Sequence, residues 1–245
     1  MKQKIVAIGG GDFTKHQTLN IDKEIVKFSE KQQPKMLFIP TASSDNATYT
    51  KNILKYYQDL GCTVDVLFLI KQKISFQEIQ SKILSADIIY VSGGNTLKMM
   101  TLWRRLEIDR LLNQARKQGT VLCGLSAGSI CWFNFGNSDS RKFKNPAADY
   151  IKVTGLGFVN AFNCPHYDSE ADRKVSLKKM MQKNSGIAIA LEDCAAIQIL
   201  GDTYRIINSN NIARAYKIYW KDNIFYEEVI EQVNTFKSLN ELLKK

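Results

Sequence analysis

Apolar residues along this chain fall into two alternating rhythms. Short continuous runs occupy Lys4 to Ile8, Lys35 to Pro40, Val64 to Leu69, Ala86 to Ser92 and Val121 to Leu125. Between them lie stretches with apolar residues at helical spacing. Ile21 to Lys31 carries Ile21, Ile25, Val26 and Phe28, and Tyr49 to Leu60, Phe76 to Leu84 and Thr96 to Ala115 follow the same period. Glycines stand where elements should stop: Gly9-Gly10-Gly11, Gly61, Gly93-Gly94 and Gly119. Strands apolar on both faces, alternating with helices, predict a mostly parallel sheet with helices on either side. In such a sheet, sites form beyond the carboxyl ends of the strands. The second half is richer in strands: Gly186 to Leu191, Ala195 to Leu200, Thr203 to Ile207 and Ala215 to Trp220. Gly201-Asp202 predicts a hairpin between the middle two. Phe236 to Lys245 reads as a short surface helix. The expectation is one domain over residues 1–245 whose sheet gains late, partly antiparallel strands.

Composition narrows the class. At 245 residues, 44% hydrophobic and 24% charged, the chain is long enough for one well-filled core. No apolar run approaches the roughly 18 residues of a membrane span. The first apolar run ends at Gly9, which reads as a strand and not a signal peptide. Lys and Arg number 34 against 24 Asp and Glu, a net charge of +10. The basic residues are scattered, and no Cys/His pair has zinc-finger spacing, so nucleic acid is not the expected partner. Five cysteines, an odd number without CxxC spacing, suit a reduced protein of the cytoplasm. The expected partner is a small peptide substrate, with no membrane, no cofactor and no metal, in a monomer or homodimer.

The sharpest motif is Gly124-Leu125-Ser126-Ala127-Gly128, directly after an apolar run and before a stretch of helical potential (Ser129 to Phe133). G-x-S-x-G in that context is a nucleophile elbow: a strained strand-to-helix turn that needs small residues on either side of the serine. It places Ser126 at a helix start, where the Ala127 N–H is an oxyanion donor. A second donor is suggested by Ser92-Gly93-Gly94-Asn95-Thr96, where a strand also ends in glycines before a helix. Gly9-Gly10-Gly11-Asp12 lacks the spacing of a phosphate loop and reads as a tight turn lining the site.

A serine nucleophile needs a base, and the chain has two histidines. His16 lies in a polar loop and reads as solvated. His166, in Asn163-Cys164-Pro165-His166-Tyr167-Asp168 after the strand-like Gly157 to Phe162, is the better base. The acid that would orient it is open between Asp139, in a loop able to fold over the serine, and Glu192, at the end of an apolar strand. Asp168 is the weakest of the three, because it lacks reach to the far side of the ring.

Taken in order, Gly9-Gly10-Gly11, Ser92-Gly-Gly-Asn-Thr96, Gly124-Leu-Ser-Ala-Gly128 and Asn163-Cys-Pro-His166 resemble the dipeptidase E family of serine peptidases, which includes the cyanophycinases. The resemblance implies a three-layer αβα sandwich similar to the class I glutamine amidotransferases. It also implies Ser126 as nucleophile, His166 as base, and Gly94 with Ala127 as oxyanion hole. It leaves Asp139 and Glu192 as alternatives for the third catalytic member. N-terminal aspartyl dipeptides are the substrates it suggests. Two other readings use the same residues: an esterase or amidase with a different pocket, and a catalytically silent small-molecule-binding module.

Overall fold

In the computed structural model, which describes residues 1–170 and 172–245, the strand-helix alternation of the first half forms as the sequence predicts. In chain order it runs β1 (Lys4–Ile8), α1 (Leu19–Phe28), β2 (Lys35–Ile39), α2 (Ala47–Asp59), β3 (Thr63–Val66), α3 (Phe76–Leu84), β4 (Ile88–Val91), α4 (Thr96–Arg105), α5 (Ile108–Gln118) and β5 (Val121–Leu125). The second half holds α6 (Ala127–Ile130), β6 (Phe133–Ser138), β7 (Ile151–Thr154), β8 (Val159–Cys164), α7 (Arg173–Gln182), β9 (Ala188–Leu191), β10 (Ala195–Leu200), β11 (Thr203–Asn208), β12 (Ala215–Lys221), β13 (Ile224–Ile230), β14 (Lys237–Ser238) and α8 (Leu239–Leu242).

The strands form two sheets. The first has the order β14-β11-β10-β1-β5-β4-β2-β3, and the second β13-β12-β9-β8-β6-β7. Within the first, β1, β5, β4, β2 and β3 are parallel, while β10 and β11 join antiparallel at the β1 edge. Their hairpin turns at Gly201-Asp202, as the sequence predicts. The second sheet was not foreseen as separate. The single expected sheet is in fact two, and the chain passes between them four times, after β5, β9, β11 and β13.

Side-chain parity explains the layering. In β1, Val6 and Ile8 face α1 and α2, packing with Ile21, Ile25, Ile53 and Tyr57. Ile5 and Ala7 face the other way, toward Met99, Trp103 and Leu112 of the second helical layer. That three-layer αβα arrangement continues into the second sheet, whose inner face adds Val159, Ala161, Ile189 and Leu191 to the same core. Its outer face, with Phe162, Cys164, Ala188 and Ala190, is covered by Leu177 and Met181 of α7. Both faces bury apolar side chains, at roughly 25 cal/mol per Å² removed from water.

The helix predicted from Thr96 to Ala115 is two, because Glu107 adopts a left-handed conformation (φ 56°) that ends one helix and starts the next. The helical potential of Ser129 to Phe133 yields only the four-residue α6 before β6 begins. Among the described residues no helix is long and apolar enough to cross a membrane. All five cysteines are buried and free.

Candidate active site

The site lies on the seam between the sheets, and β1 is its spine. Three successive carbonyls at the end of this strand accept hydrogen bonds from three distant parts of the chain. Ile8 O accepts from Ser126 N–H (3.2 Å), Gly9 O from His166 N–H (3.3 Å), and Gly10 O from Cys194 N–H (2.9 Å). Gly10 also bridges in parallel to Asp193. One short segment thus aligns the elbow serine, the histidine and the turn after β9.

Ser126 has φ 57° and ψ −108°, a costly backbone for a residue with a side chain. The two motif glycines make that turn possible. A Cβ on Gly124 would stand 2.5 Å from Val91 O and 2.7 Å from Gly128 O, and one on Gly128 would strike Val91 O. The elbow is therefore pressed onto the end of β4. Next to it, Gly94 has φ 132°, and a Cβ there would strike the Ala42 carbonyl. The Cβ position of Gly93 lies 3.5 Å from Ser126 Cβ, so this loop faces the serine. Neither Gly94 N–H nor Ala127 N–H has an acceptor among the described residues. One donor in the elbow and one in the loop that faces it are thus without an internal acceptor.

His166 also has positive φ, 53°, and its Nδ1 lies 2.7 Å from Asp193 Oδ1. Neither Glu192 nor Asp139, the two acids singled out in the sequence, makes this contact. Glu192 turns to β12, where its carboxylate accepts from Arg214 N–H (2.8 Å) and Tyr216 OH (2.7 Å). The cause is strand parity. Ala188, Ala190 and Glu192 point outward, whereas Ile189, Leu191 and Asp193 point toward the first sheet. That parity was the available signal, but it needed knowledge of which face meets the serine strand. Asp168 bonds Asp193 through its Oδ1, which accepts the Asp193 N–H at 2.9 Å. Tyr167 N–H donates to Leu191 O (3.1 Å), so the turn after His166 is clamped to the turn carrying Asp193.

Burial works to raise the Asp193 carboxyl pKa, but the hydrogen bond and charge of His166, with Ser169 and Arg173, outweigh it and hold the group below its usual value. The pair is packed against bare backbone: a Cβ on Gly10 would strike Asp193 Oδ1 and lie 2.6 Å from His166 Cε1. The expected role of Gly9-Gly10-Gly11 as a turn against the site thus has a steric reason.

The third wall is the loop between β6 and β7. Ser140 fastens its start to the Gly93-Gly94 loop: Ser140 O accepts from Asn95 Nδ2 (2.9 Å), and Ser140 Oγ from Leu97 N–H (3.0 Å). Two residues before Asp139, Asn137 O accepts from Arg173 Nη1 (2.8 Å). Arg173 is buried and pairs with Glu170 at 2.7 Å, and Glu170 also accepts from Tyr150 OH (2.5 Å). Asp139 itself is half-buried, and its carboxylate forms no ion pair with another of the described residues; the backbone hydrogen bond that lowers its pKa is its own. Burial pushes its pKa up, opposed by the charge of Arg173.

The remaining candidates fall outside this constellation. His16 is exposed, with its ring 5.8 Å from that of Tyr56. Burial pushes the thiols of Cys123 and Cys131 well up and that of Cys164 to about 12, which disfavours the thiolate at neutral pH. Among the described residues no group of three or more His, Cys, Asp or Glu could hold a metal ion.

A strained serine at a strand-to-helix turn, a carboxylate-held histidine and open backbone donors are the parts of a serine hydrolase site on an α/β scaffold. The family model described as Peptidase family S51 matches residues 5–207, and the chain belongs to that family of serine-type peptidases. It is 36% identical to the Bacillus subtilis (strain 168) protein named uncharacterized peptidase YgaJ, over 89% of this chain and 92% of that one. It is 22% identical to Peptidase E of Streptomyces coelicolor, over 75% of this chain and 74% of that one. Its fold matches the crystal structure of a peptidase from an acI-B1 Actinobacterium with a TM-score of 0.74, at 18% identity over 97% of each chain. A candidate peptidase E from Listeria monocytogenes EGD-e matches with a TM-score of 0.66, at 22% identity over 85% of this chain and 99% of that one.

Proposed function

We propose that the chain hydrolyses small peptides through Ser126, His166 and Asp193. Ser126 Oγ attacks the scissile carbonyl carbon, and His166 takes its proton through Nε2. Asp193 holds the ring at Nδ1, fixing the tautomer that leaves Nε2 free to accept. The carbonyl oxygen, becoming an oxyanion, is met by the Gly94 and Ala127 N–H groups. His166 then gives its proton to the leaving amine, and water repeats the sequence to release the acyl group. The observation that carries this reading is the spine of β1, whose consecutive carbonyls hold Ser126, His166 and the Asp193 turn together. The buried, free cysteines support a reducing compartment, and we place the protein in the cytoplasm.

Asp193 stands here where the sequence left Asp139 and Glu192 open. The aspartyl preference implied by the resemblance finds little support, because the buried cation among the described residues, Arg173, is already paired with Glu170 and Asn137. The test is a panel of dipeptides Asp-Leu, Asn-Leu, Ala-Leu, Phe-Leu and Lys-Leu, with Ser126→Ala as control and a fluorophosphonate probe for the serine. Turnover and labelling that both vanish in Ser126→Ala are expected. Activity that survives this substitution would remove the serine mechanism.

A further inference from the structure

The order of strands in the first sheet sets the elbow between two loops. β5, which ends at Ser126, lies between β1 and β4, and β2 comes next. The loops after β1 and β2 therefore stand on either side of the serine, at the carboxyl ends of the strands. They meet there, with the rings of Phe13 and Tyr49 5.4 Å apart. Between them lies a cavity of about 530 Å³, lined in part by these rings, that the mechanism leaves unused. Both of its walls lead to the chemistry. Gly11, on one wall, follows Gly10, so its Cα lies within about 8 Å of His166 Cε1. Tyr49, on the other, sets its hydroxyl against the backbone of Gly93, whose Cβ position is 3.5 Å from Ser126 Cβ.

The lining carries one anion, Asp12, and among the described residues no lysine, arginine or histidine. Thr14 holds that carboxyl below its usual value through hydrogen bonds from its hydroxyl (2.6 Å) and its N–H (2.9 Å), so Asp12 is charged at neutral pH. Lys15 stands 3.6 Å from it, but the pair is exposed and weak. A carboxylate ligand would be repelled here. The facing wall is the first turn of α2, whose positive dipole end opposes a cation. That wall offers donors. Asn46 Oδ1 accepts the Tyr49 N–H (2.9 Å), and Asn46 Nδ2, the Thr48 N–H and the Asn52 amide have no partner among the described residues. We propose that this cavity receives a carboxamide side chain, Asn or Gln, from a residue beside the scissile bond, and so selects amide-bearing peptides over acidic and basic ones. The amide oxygen accepts from the α2 wall, its NH₂ donates to Asp12, and its methylene lies on the two rings. An aspartyl side chain has the same shape, but it finds no cation here and meets Asp12.

This inference rests on Ser126 being the nucleophile, and the test separates the two. Asn, Gln, Asp, Lys and Leu are each joined to Leu in both orders, because the cavity borders the serine on one wall and the histidine on the other. Each dipeptide is assayed for turnover and for protection of Ser126 from the fluorophosphonate probe. In one of the two orders the wild type should favour Asn over Asp and over Lys by about 30-fold in kcat/KM, the scale of two hydrogen bonds. Asp12→Asn keeps an acceptor for Thr14 but removes the repulsion, and should cut the Asn-over-Asp ratio to about threefold. Asn52→Leu should lower the Asn-over-Leu ratio by about fivefold. Circular dichroism and labelling of Ser126 check that each variant is folded with its site formed.

Asn, Asp and Leu handled alike by the wild type, or Asp or Lys preferred in both orders, would overturn the assignment. So would an Asn-over-Asp ratio unmoved in Asp12→Asn, or an Asn-over-Leu ratio unmoved in Asn52→Leu. A labelled serine that no dipeptide protects or follows with turnover would overturn it as well, while leaving the nucleophile in place. Failure of the wild type to label at all strikes the serine mechanism itself, and this inference falls with it.

Discussion

The turn at 192–194 and the loop that opens at Asp139 each bring a half-buried carboxyl group near His166, and they treat it in opposite ways. Burial works to raise both groups. At Asp193 it is outweighed by His166, Ser169 and Arg173, and the carboxyl is held below its usual range. At Asp139 burial prevails over Arg173, and the carboxyl is held above it. Asp22 supplies a third case, fully buried and bonded by the hydroxyls of Thr18 (2.7 Å), Tyr56 (2.9 Å) and Tyr57 (2.7 Å), yet still held above its usual range because burial outweighs these three neutral donors. A carboxylate completed by the protein is part of the standing structure. One left without an ion-pair partner costs stability whenever it is charged. Neighbouring acids driven apart in pKa are a sign of divided roles.

The largest effect should come from the completed acid. Asp193→Asn keeps the shape but loses the tautomer preference, and kcat should fall by about 10⁴-fold. Glu192→Gln, on the opposite parity, should stay within about threefold of wild type by the same steady-state assay. Equal losses would erase the distinction between these two neighbours. Gly10→Ala should follow, since its Cβ would push into Asp193 and His166; a shift near 1 Å is enough for about a 100-fold loss in kcat/KM. Asp22→Ala should leave turnover intact but lower unfolding free energy by about 3 kcal/mol in urea titration, because three buried hydroxyls lose their acceptor.

The smallest effect is a difference of sign in stability against pH. Asp193 has a lowered folded pKa, so its contribution is present above the ordinary carboxyl range and is lost as pH falls through the folded value. Asp139 has a raised one, so its contribution is intact below that range and is lost as pH rises through the folded value. Asp193→Asn should therefore lower Tm at neutral pH, with the deficit fading in acid. Asp139→Asn should raise Tm slightly at neutral pH and converge on wild type in acid. Parallel curves would show that the two carboxyls are not in opposite environments.

Much of this is legible in the sequence. The alternation of apolar runs with helical stretches located β1 to β5 and their helices, because a parallel sheet buried on both faces leaves an unbroken apolar signature. Gly124 to Gly128 marked the elbow, and Gly201-Asp202 the hairpin, since each demands small or turn-forming residues at fixed offsets. What was hidden depends on contacts between distant segments. Nothing local to β6, β8 or β9 says that they pair with one another and leave β1 for a second sheet. Glu192 and Asp193 are adjacent acids at one strand end, and only the packing of Leu191 toward the first sheet reveals which of them turns to His166. The break at Glu107 is likewise a left-handed residue inside a continuous helical pattern.

The spine itself sets how this site can be lost. β1 lies inside the first sheet, paired to β5 on one side and β10 on the other, so its last carbonyls cannot move without opening the sheet. The amides of Ser126, His166 and Cys194 should then exchange with deuterated solvent only as slowly as the whole fold opens, whereas the 139–150 loop should exchange by local excursions. Under rising denaturant, the chemistry of the serine and the sheet should disappear in one transition. A heat-worn sample would hold fewer working molecules, each of them working at full rate.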